Sequence, residues 1–372
     1  MQLKDSRRAT AVALLLFLCL SSTGGRPQTA GQSPSNRYDK AIAASRAAIR
    51  EMMEKNGVPG VSVAVIVRGE PAWSEGFGFA DLEQQVPVTR ETKFGLGSIT
   101  KAMTTALCAR LMEKGLLDLD APVESYLAEF PHKNLKISVR LIAGHLSGLD
   151  DNFNTAQMYT STHFNTTAEA LQQIFKEPLK YRPLEHHFYT TGPYTIIAGV
   201  LEKAAGADFL TLMNQHVVGP LGLKNTIPND RKAIIPHRTS FYVRENDQTV
   251  NAPYFDPSFK WAGAGYLSTA EDLAQFGSAF LKPGFLKQST VDELFRPLKT
   301  AAGEDTGFGL GWRIATDARG RAVMYQPGGG PGISSAIILY RKENLVIAIL
   351  SNLRGAPVDG EVADVIADSF LQ

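Results

Sequence analysis

The sequence predicts an α+β fold: one antiparallel sheet built from both ends of the chain, flanked by helices, with a mainly helical region inserted between. Three observations carry this. Paired strand patterns lie before residue 98 and after residue 290, whereas residues 98–290 read mostly as helical patterns and loops. Helical patterns open and close the body of the chain. Either strand cluster alone is too small to fold well, so joining the two in one sheet is the economical arrangement. The expected organisation is a single domain over 38–371, with a sheet region at 38–97 and 291–371 and a helical region at 98–290.

Taken in order, Tyr38 to Asn56 places Ile42, Ile49, Met52 and Met53 at helical spacing and ends at Asn56-Gly57, a helix stop. Val61 to Val67 and Pro71 to Phe79 flank Arg68-Gly69-Glu70 and read as a β-hairpin. A helix-like run follows from Ala102 to Lys114. Further helical patterns cover Ala168 to Phe175, Tyr194 to Ala205, Phe209 to His216 and Ala270 to Leu281. Ser335 to Tyr340 and Leu345 to Ser351 flank Arg341-Lys342-Glu343-Asn344 as a second hairpin. Val358 to Leu371 closes the chain as a helix, with Val362, Val365, Ile366 and Phe370 on one face. No internal repeat stands out.

The 372 residues are 44% hydrophobic and 20% charged, an ordinary globular composition. The formal net charge of +1 leaves no electrostatic case for nucleic acid. Lys4, Arg7 and Arg8 precede an apolar run from Ala11 to Leu20, followed by Ser21, Ser22, Gly24 and Gly25. That order is the charged, apolar and small-residue sequence of a secretory signal over 1–25, with a linker over 26–37. As a helix the run rises about 15 Å, about half a bilayer core, so no lasting membrane span is expected. The expected location is periplasmic or secreted. After cleavage only Cys108 would remain, which excludes an internal disulfide and reads as a buried structural thiol.

The stretch that carries chemistry is Gly97-Ser98-Ile99-Thr100-Lys101 at the head of a helix. A serine and a lysine three residues apart stack on one face. A lysine held neutral by burial and by the positive helix end accepts the serine proton and makes the hydroxyl a nucleophile. Tyr189, in Phe188-Tyr189-Thr190-Thr191-Gly192, lies on a loop before a helix and can share or relay that proton, although a core tyrosine reads as well. Tyr325-Gln326-Pro327-Gly328-Gly329-Gly330-Pro331-Gly332 reads either as a glycine-bearing strand edge that offers N–H groups to an oxyanion or as a Gly/Pro turn. His145, His186 and His187 lack metal-ligand spacing and read as exposed or capping residues. Asp150-Asp151 near Asn152 opens no calcium loop. Neither a metal nor a cofactor is expected.

Together these elements resemble the serine β-lactamase and penicillin-binding-protein superfamily, on the side of the class C β-lactamases and D-alanyl-D-alanine carboxypeptidases. Ser98/Lys101, Tyr189 and Gln326-Pro327-Gly328 follow the order of its Ser-x-x-Lys, Tyr-x-Asn and Lys/His-Thr-Gly motifs. Accessory stretches agree, among them His145-Leu146-Ser147-Gly148-Leu149 and Gly307-Phe308-Gly309-Leu310-Gly311-Trp312. Within the superfamily the chain is most similar to a peptidase-type branch with mitochondrial and bacterial members, through Tyr126 to Pro131, Arg140 to Leu149 and Lys260 to Gly265. The resemblance implies a β-lactamase/transpeptidase-like fold and a serine hydrolase working through an acyl-enzyme. It gives Ser98, Lys101 and Tyr189 the catalytic roles, the N–H groups of Ser98 and Gly329 the oxyanion hole, and Thr191, Gln326 and Gly328 contacts with substrate.

Two departures from the β-lactamase pattern shape the substrate expectation. Thr191 replaces an amide, and Gln326-Pro327 replaces Lys/His-Thr, which removes a cation and a hydroxyl that hold a substrate carboxylate. A charge-assisted hydrogen bond contributes about 1.5–3 kcal/mol, so efficient penicillin recognition is not expected. Peptides, including D-amino-acid peptides of cell wall, rank first by the resemblance, small esters second and β-lactams third. The rival from another class is a binding or self-assembling scaffold that kept the fold. A mitochondrial member of the branch forms filaments, but this sequence carries no interface signal.

Overall fold

The computed structural model describes residues 37–150, 160–176 and 178–372. The expected signal segment, its linker up to residue 36, Asp151 and Asn152 lie outside them. Residues Tyr38–Gln372 form one compact unit.

Three strands in this unit are apolar at nearly every position, a pattern that demands cover on both faces. They are β1 (Gly60–Val67), β11 (Ile333–Tyr340) and β12 (Leu345–Ser351), and every residue in them is buried. With β2 (Glu70–Asp81), β3 (Val86–Pro87), β9 (Arg313–Thr316) and β10 (Ala322–Gly330) they form a seven-stranded sheet in the order β3-β2-β1-β12-β11-β10-β9. Every pairing in it is antiparallel. The two chain ends meet where β1 pairs with β12, with Val63 opposite Ile349 and Val65 opposite Ile347.

Alternation then divides the apolar residues between two cores. Val61, Val63, Val65, Ile347 and Ile349 face a core shared with α1 (Asp39–Asn56) and the closing helix α10 (Glu361–Phe370). Ala64, Ile66, Val346, Ala348 and Leu350 face the larger core, shared with α2 (Ile99–Glu113) and α8 (Ala270–Ser278). α1 stops where the sequence predicts. Gly57 takes the left-handed conformation (φ 62°), and its N–H caps the carbonyls of Met53 and Glu54.

The region between holds α3 (Val139–Ala143), α4 (Thr167–Ile174), α5 (Tyr194–Ala205), α6 (Phe209–Met213) and α7 (Trp261–Ala264), besides α2 and α8. α2 is buried at all but a few positions and runs through the middle of this packing. Two features depart from the expected partition. A small sheet of β4 (Phe94–Gly95), β8 (Tyr266–Ser268) and β5 (Ile227–Pro228), and a hairpin of β6 (Tyr242–Glu245) and β7 (Gln248–Asn251), lie within or beside the helical region. Strands of two to four residues show no readable period. The C-terminal sheet segment also begins only at Arg313, because α9 (Gln288–Leu294) and a loop occupy the start of the expected sheet region. Among the described residues no helix is long and apolar enough to cross a membrane.

Candidate active site

Ser98 stands at the N-cap of α2, but its side chain caps nothing. Its Oγ lies 3.0 Å from Lys101 Nζ, one helical turn on. Lys101 is fully buried, and its Nζ also donates to Thr191 Oγ1 at 3.0 Å and to the Gly263 carbonyl at 3.1 Å. Three acceptors suit an ammonium with three hydrogens. They suit the neutral amine equally, which donates to Thr191 and Gly263 and turns its lone pair to the Ser98 hydroxyl. The rings of Tyr189 and Tyr194 stand over the amine, with centroids at 4.8 and 5.4 Å.

Tyr189 comes to this amine from an extended loop, but not by the contact expected of it. Among the described residues no hydrogen bond joins its hydroxyl to Lys101, whose three hydrogen-bonding directions are taken. The Tyr189 oxygen instead accepts from Gln326 Nε2 at 3.2 Å. The same amide nitrogen donates to the Ser98 carbonyl at 3.4 Å and to the Pro327 carbonyl at 3.2 Å. Gln326 is fully buried, so it sits behind Tyr189 as a neutral donor rather than facing a substrate as expected.

The glycine run is a strand and not a turn. β9 pairs with β10 only through Tyr325, which leaves 326–330 as an edge. Gly328, expected to touch substrate, is buried against the Ser98 segment: a Cβ there would lie 1.9 Å from the Leu96 carbonyl oxygen. Gly97, in the left-handed region at φ 51°, would bring a Cβ within 2.7 Å of Gly329 N. These two close approaches put the Gly329 backbone beside Ser98, and Ser335 Oγ donates to the Leu96 carbonyl at 2.7 Å to hold the segment to β11. A Cβ on Gly329 would meet nothing within 4 Å. Gly329 thus borders a small open cleft with Ser98, Thr191 and Lys260, walled by Phe255 and Ile333.

Residues the sequence did not single out for this site surround Tyr189. The Arg313 guanidinium lies 5.5 Å from the Tyr189 ring centroid and 5.5 Å from that of Phe308. It enters from β9, opposite Tyr325, and brings positive charge to a neighbourhood where Gln326 brings none. His145 is 1% exposed rather than exposed or capping. Burial holds its imidazole well below the ordinary histidine value, with Lys101, His187 and Arg313 adding to the effect, so it is neutral. His187 is half-buried and shifted the same way by burial and Arg313, while His186 is exposed. Burial likewise pushes the Cys108 thiol up, out of reach of ionisation. His145 lies in a quoted family stretch, but its contact with Tyr189 crosses from another part of the chain and has no local signal.

Comparison with known proteins follows this geometry. The sequence model of the family described as Beta-lactamase matches residues 46–371. The human protein named serine beta-lactamase-like protein LACTB, mitochondrial, is 27% identical over 411 residues, covering 85% of this chain and 75% of its own length. The structure of a D-amino acid amidase from Ochrobactrum anthropi SV3, complexed with L-phenylalanine, superposes with a TM-score of 0.79 at 20% identity, over 88% of this chain and 98% of that one. The octameric penicillin-binding protein homologue from Pyrococcus abyssi superposes with a TM-score of 0.76 at 22% identity, over 89% and 77%.

Proposed function

The chain belongs to the beta-lactamase family, and from that premise we propose that it is a serine hydrolase cleaving amide or ester bonds through an acyl-enzyme. The observation that carries this reading is the 3.0 Å approach of a fully buried Lys101 Nζ to Ser98 Oγ. Ser98 Oγ attacks the substrate carbonyl carbon as its proton passes to neutral Lys101. The N–H groups of Ser98 and Gly329 hold the oxygen that becomes negative. Collapse breaks the bond to the amine or alcohol, which leaves with the proton that Lys101 took from Ser98; the Tyr189 hydroxyl, bonded to Gln326 and not to Lys101 in the free protein, relays that proton once bound substrate bridges the two. Lys101 then takes a proton from the water that attacks the ester carbon of acylated Ser98; the bond from Ser98 Oγ to the acyl carbon breaks, the acid leaves and the proton passes to Ser98 Oγ.

Peptides rank first as substrates, small esters second and β-lactams third. The neutral Gln326 amide, buried behind Tyr189, is a poor anchor for a penicillin carboxylate. The order of Lys4, Arg7 and Arg8 before Ala11 to Leu20 supports export to the periplasm or medium, which fractionation of cells expressing the full chain checks.

The test is covalent labelling by a fluorophosphonate, with Ser98→Ala as control. Labelling of the parent and none of the variant is expected. Label retained by Ser98→Ala defeats the mechanism, and a parent that neither labels nor turns over favours a scaffold that kept the fold. Panels of peptides, p-nitrophenyl esters and a chromogenic cephalosporin then order the substrates. A cephalosporin rate above the other two overturns the ranking.

A further inference from the structure

We infer that His145 is a positioning residue for Tyr189, clipping the loop on both sides of the phenol and supporting its ring from below. The inference rests on the hydrolase reading and gives a task to a buried side chain that the proton transfers leave unused.

The contacts come in three kinds. The His145 main-chain carbonyl accepts the Phe188 N–H at 2.9 Å. Its Nδ1 accepts the Thr190 N–H at 3.2 Å. Its ring lies 4.3 Å from the Tyr189 ring, centroid to centroid, at 33°. One residue therefore holds the backbone before and after Tyr189 and the face of the side chain between. Its own backbone is in the left-handed region at φ 61°, which a non-glycine residue rarely adopts. That conformation aims carbonyl and imidazole at the same loop, as strained residues at functional sites do.

The chemistry of the ring agrees. A backbone N–H only donates, so Nδ1 carries the lone pair and Nε2 the hydrogen. Among the described residues that buried Nε2 has no partner. A ring kept for hydrogen bonding alone would have both nitrogens matched; this one matches the nitrogen that faces the Tyr189 loop. Burial, with the positive Arg313 adding to it, keeps Nδ1 unprotonated and able to accept. Phe308 and Tyr194, with ring centroids at 4.8 and 5.7 Å, keep the imidazole in place.

Displacement of a catalytic group by about 1 Å costs about 10²-fold in rate, and that is the size of effect sought. The experiment uses the full chain with His145→Phe, His145→Asn, His145→Gln, Tyr189→Phe and the double variant His145→Phe/Tyr189→Phe. It reads kcat and KM on a p-nitrophenyl ester per fluorophosphonate-labelled site, with melting temperatures alongside. Phe keeps the ring and removes the acceptor, so kcat should fall about 10²-fold with KM nearly unchanged. Asn places an oxygen near Nδ1 and should recover most of the loss, whereas Gln, reaching toward Nε2, should not. On the Tyr189→Phe background His145→Phe should add little, because the two act as one unit. Losses that multiply in the double variant overturn the inference, as does an unchanged kcat per labelled site or a Tyr189→Phe rate equal to the parent. If His145→Phe does not fold, equal rates for Asn and Gln overturn it. Label retained by Ser98→Ala defeats the hydrolase reading itself, a separate outcome.

Discussion

Two glycines beside Ser98, Gly329 and Gly97, make the oxyanion argument quantitative. At Gly329 an ideal Cβ meets nothing within 4 Å, and the residue is outside the left-handed region. Gly329→Ala should therefore cost about 0.5 kcal/mol or less in stability and keep its turnover. Gly329→Pro removes the N–H that is proposed to hold the oxyanion, and also fixes φ, for which the Ala variant and the melts are the control. Losing one such donor costs about 10²–10³ in kcat, or about 2.7–4 kcal/mol of transition-state stabilisation. Gly97→Ala differs in kind: its Cβ would lie 2.7 Å from Gly329 N and 2.8 Å from Gly329 O, at φ 51°. The edge strand must then move, so stability and rate should fall together, with overpacking alone costing about 1–3 kcal/mol. The assay is ester turnover normalised to fluorophosphonate-labelled sites, with urea melts for stability. If Gly329→Ala is as slow as Gly329→Pro, or Gly329→Pro stays within about tenfold of the parent, the N–H argument is wrong.

Two further outcomes follow from buried groups. Lys101→Met should slow Ser98 labelling by about 10²–10⁴; it also removes the donor to the buried Gly263 carbonyl, so stability should fall by about 1–3 kcal/mol. Labelling at the parent rate removes Lys101 as the base. For pH, His145 has a folded-state value well below its unfolded value of about 6.5. The unfolded chain then binds a proton the native state refuses, so this contribution to stability is complete above about pH 7 and is lost as pH falls below about 6.5. The slope approaches about 1.4 kcal/mol per pH unit for one such group. Half-buried His187 adds in the same direction. Urea melts from pH 7.5 to 5 should show the decline and His145→Asn should flatten it; an identical slope in the variant contradicts the assignment.

Much of the fold is local in origin and was legible for that reason. The end of α1 is written in Asn56-Gly57, because a left-handed glycine accepts the cap at little cost. Tyr194–Ala205 and Leu345–Ser351 match their predicted spans, since each is long enough to repeat its period. β4, β5 and β8 were not legible: at two or three residues each they exist through pairing with one another, not through propensity. The position of Gln326 was misleading for another reason. Its place in the motif suggested contact with substrate, but packing of the edge strand against Leu96 turned the amide inward to Tyr189.

By itself the sequence determined the layered architecture, the joining of the two chain ends and the pairing of Ser98 with Lys101, since these follow from periodicity and from spacing within one helical turn. Only the tertiary structure decided what surrounds that pair. The Gly263 carbonyl that takes a Lys101 hydrogen lies 162 residues away, and the imidazole behind Thr190 lies 45 residues away. Contacts across such separations are set when the helical region closes on the sheet, and no local pattern records them. The electrostatic setting of the lysine, the neutrality of His145 and the tie between Tyr189 and Gln326 therefore belong to packing.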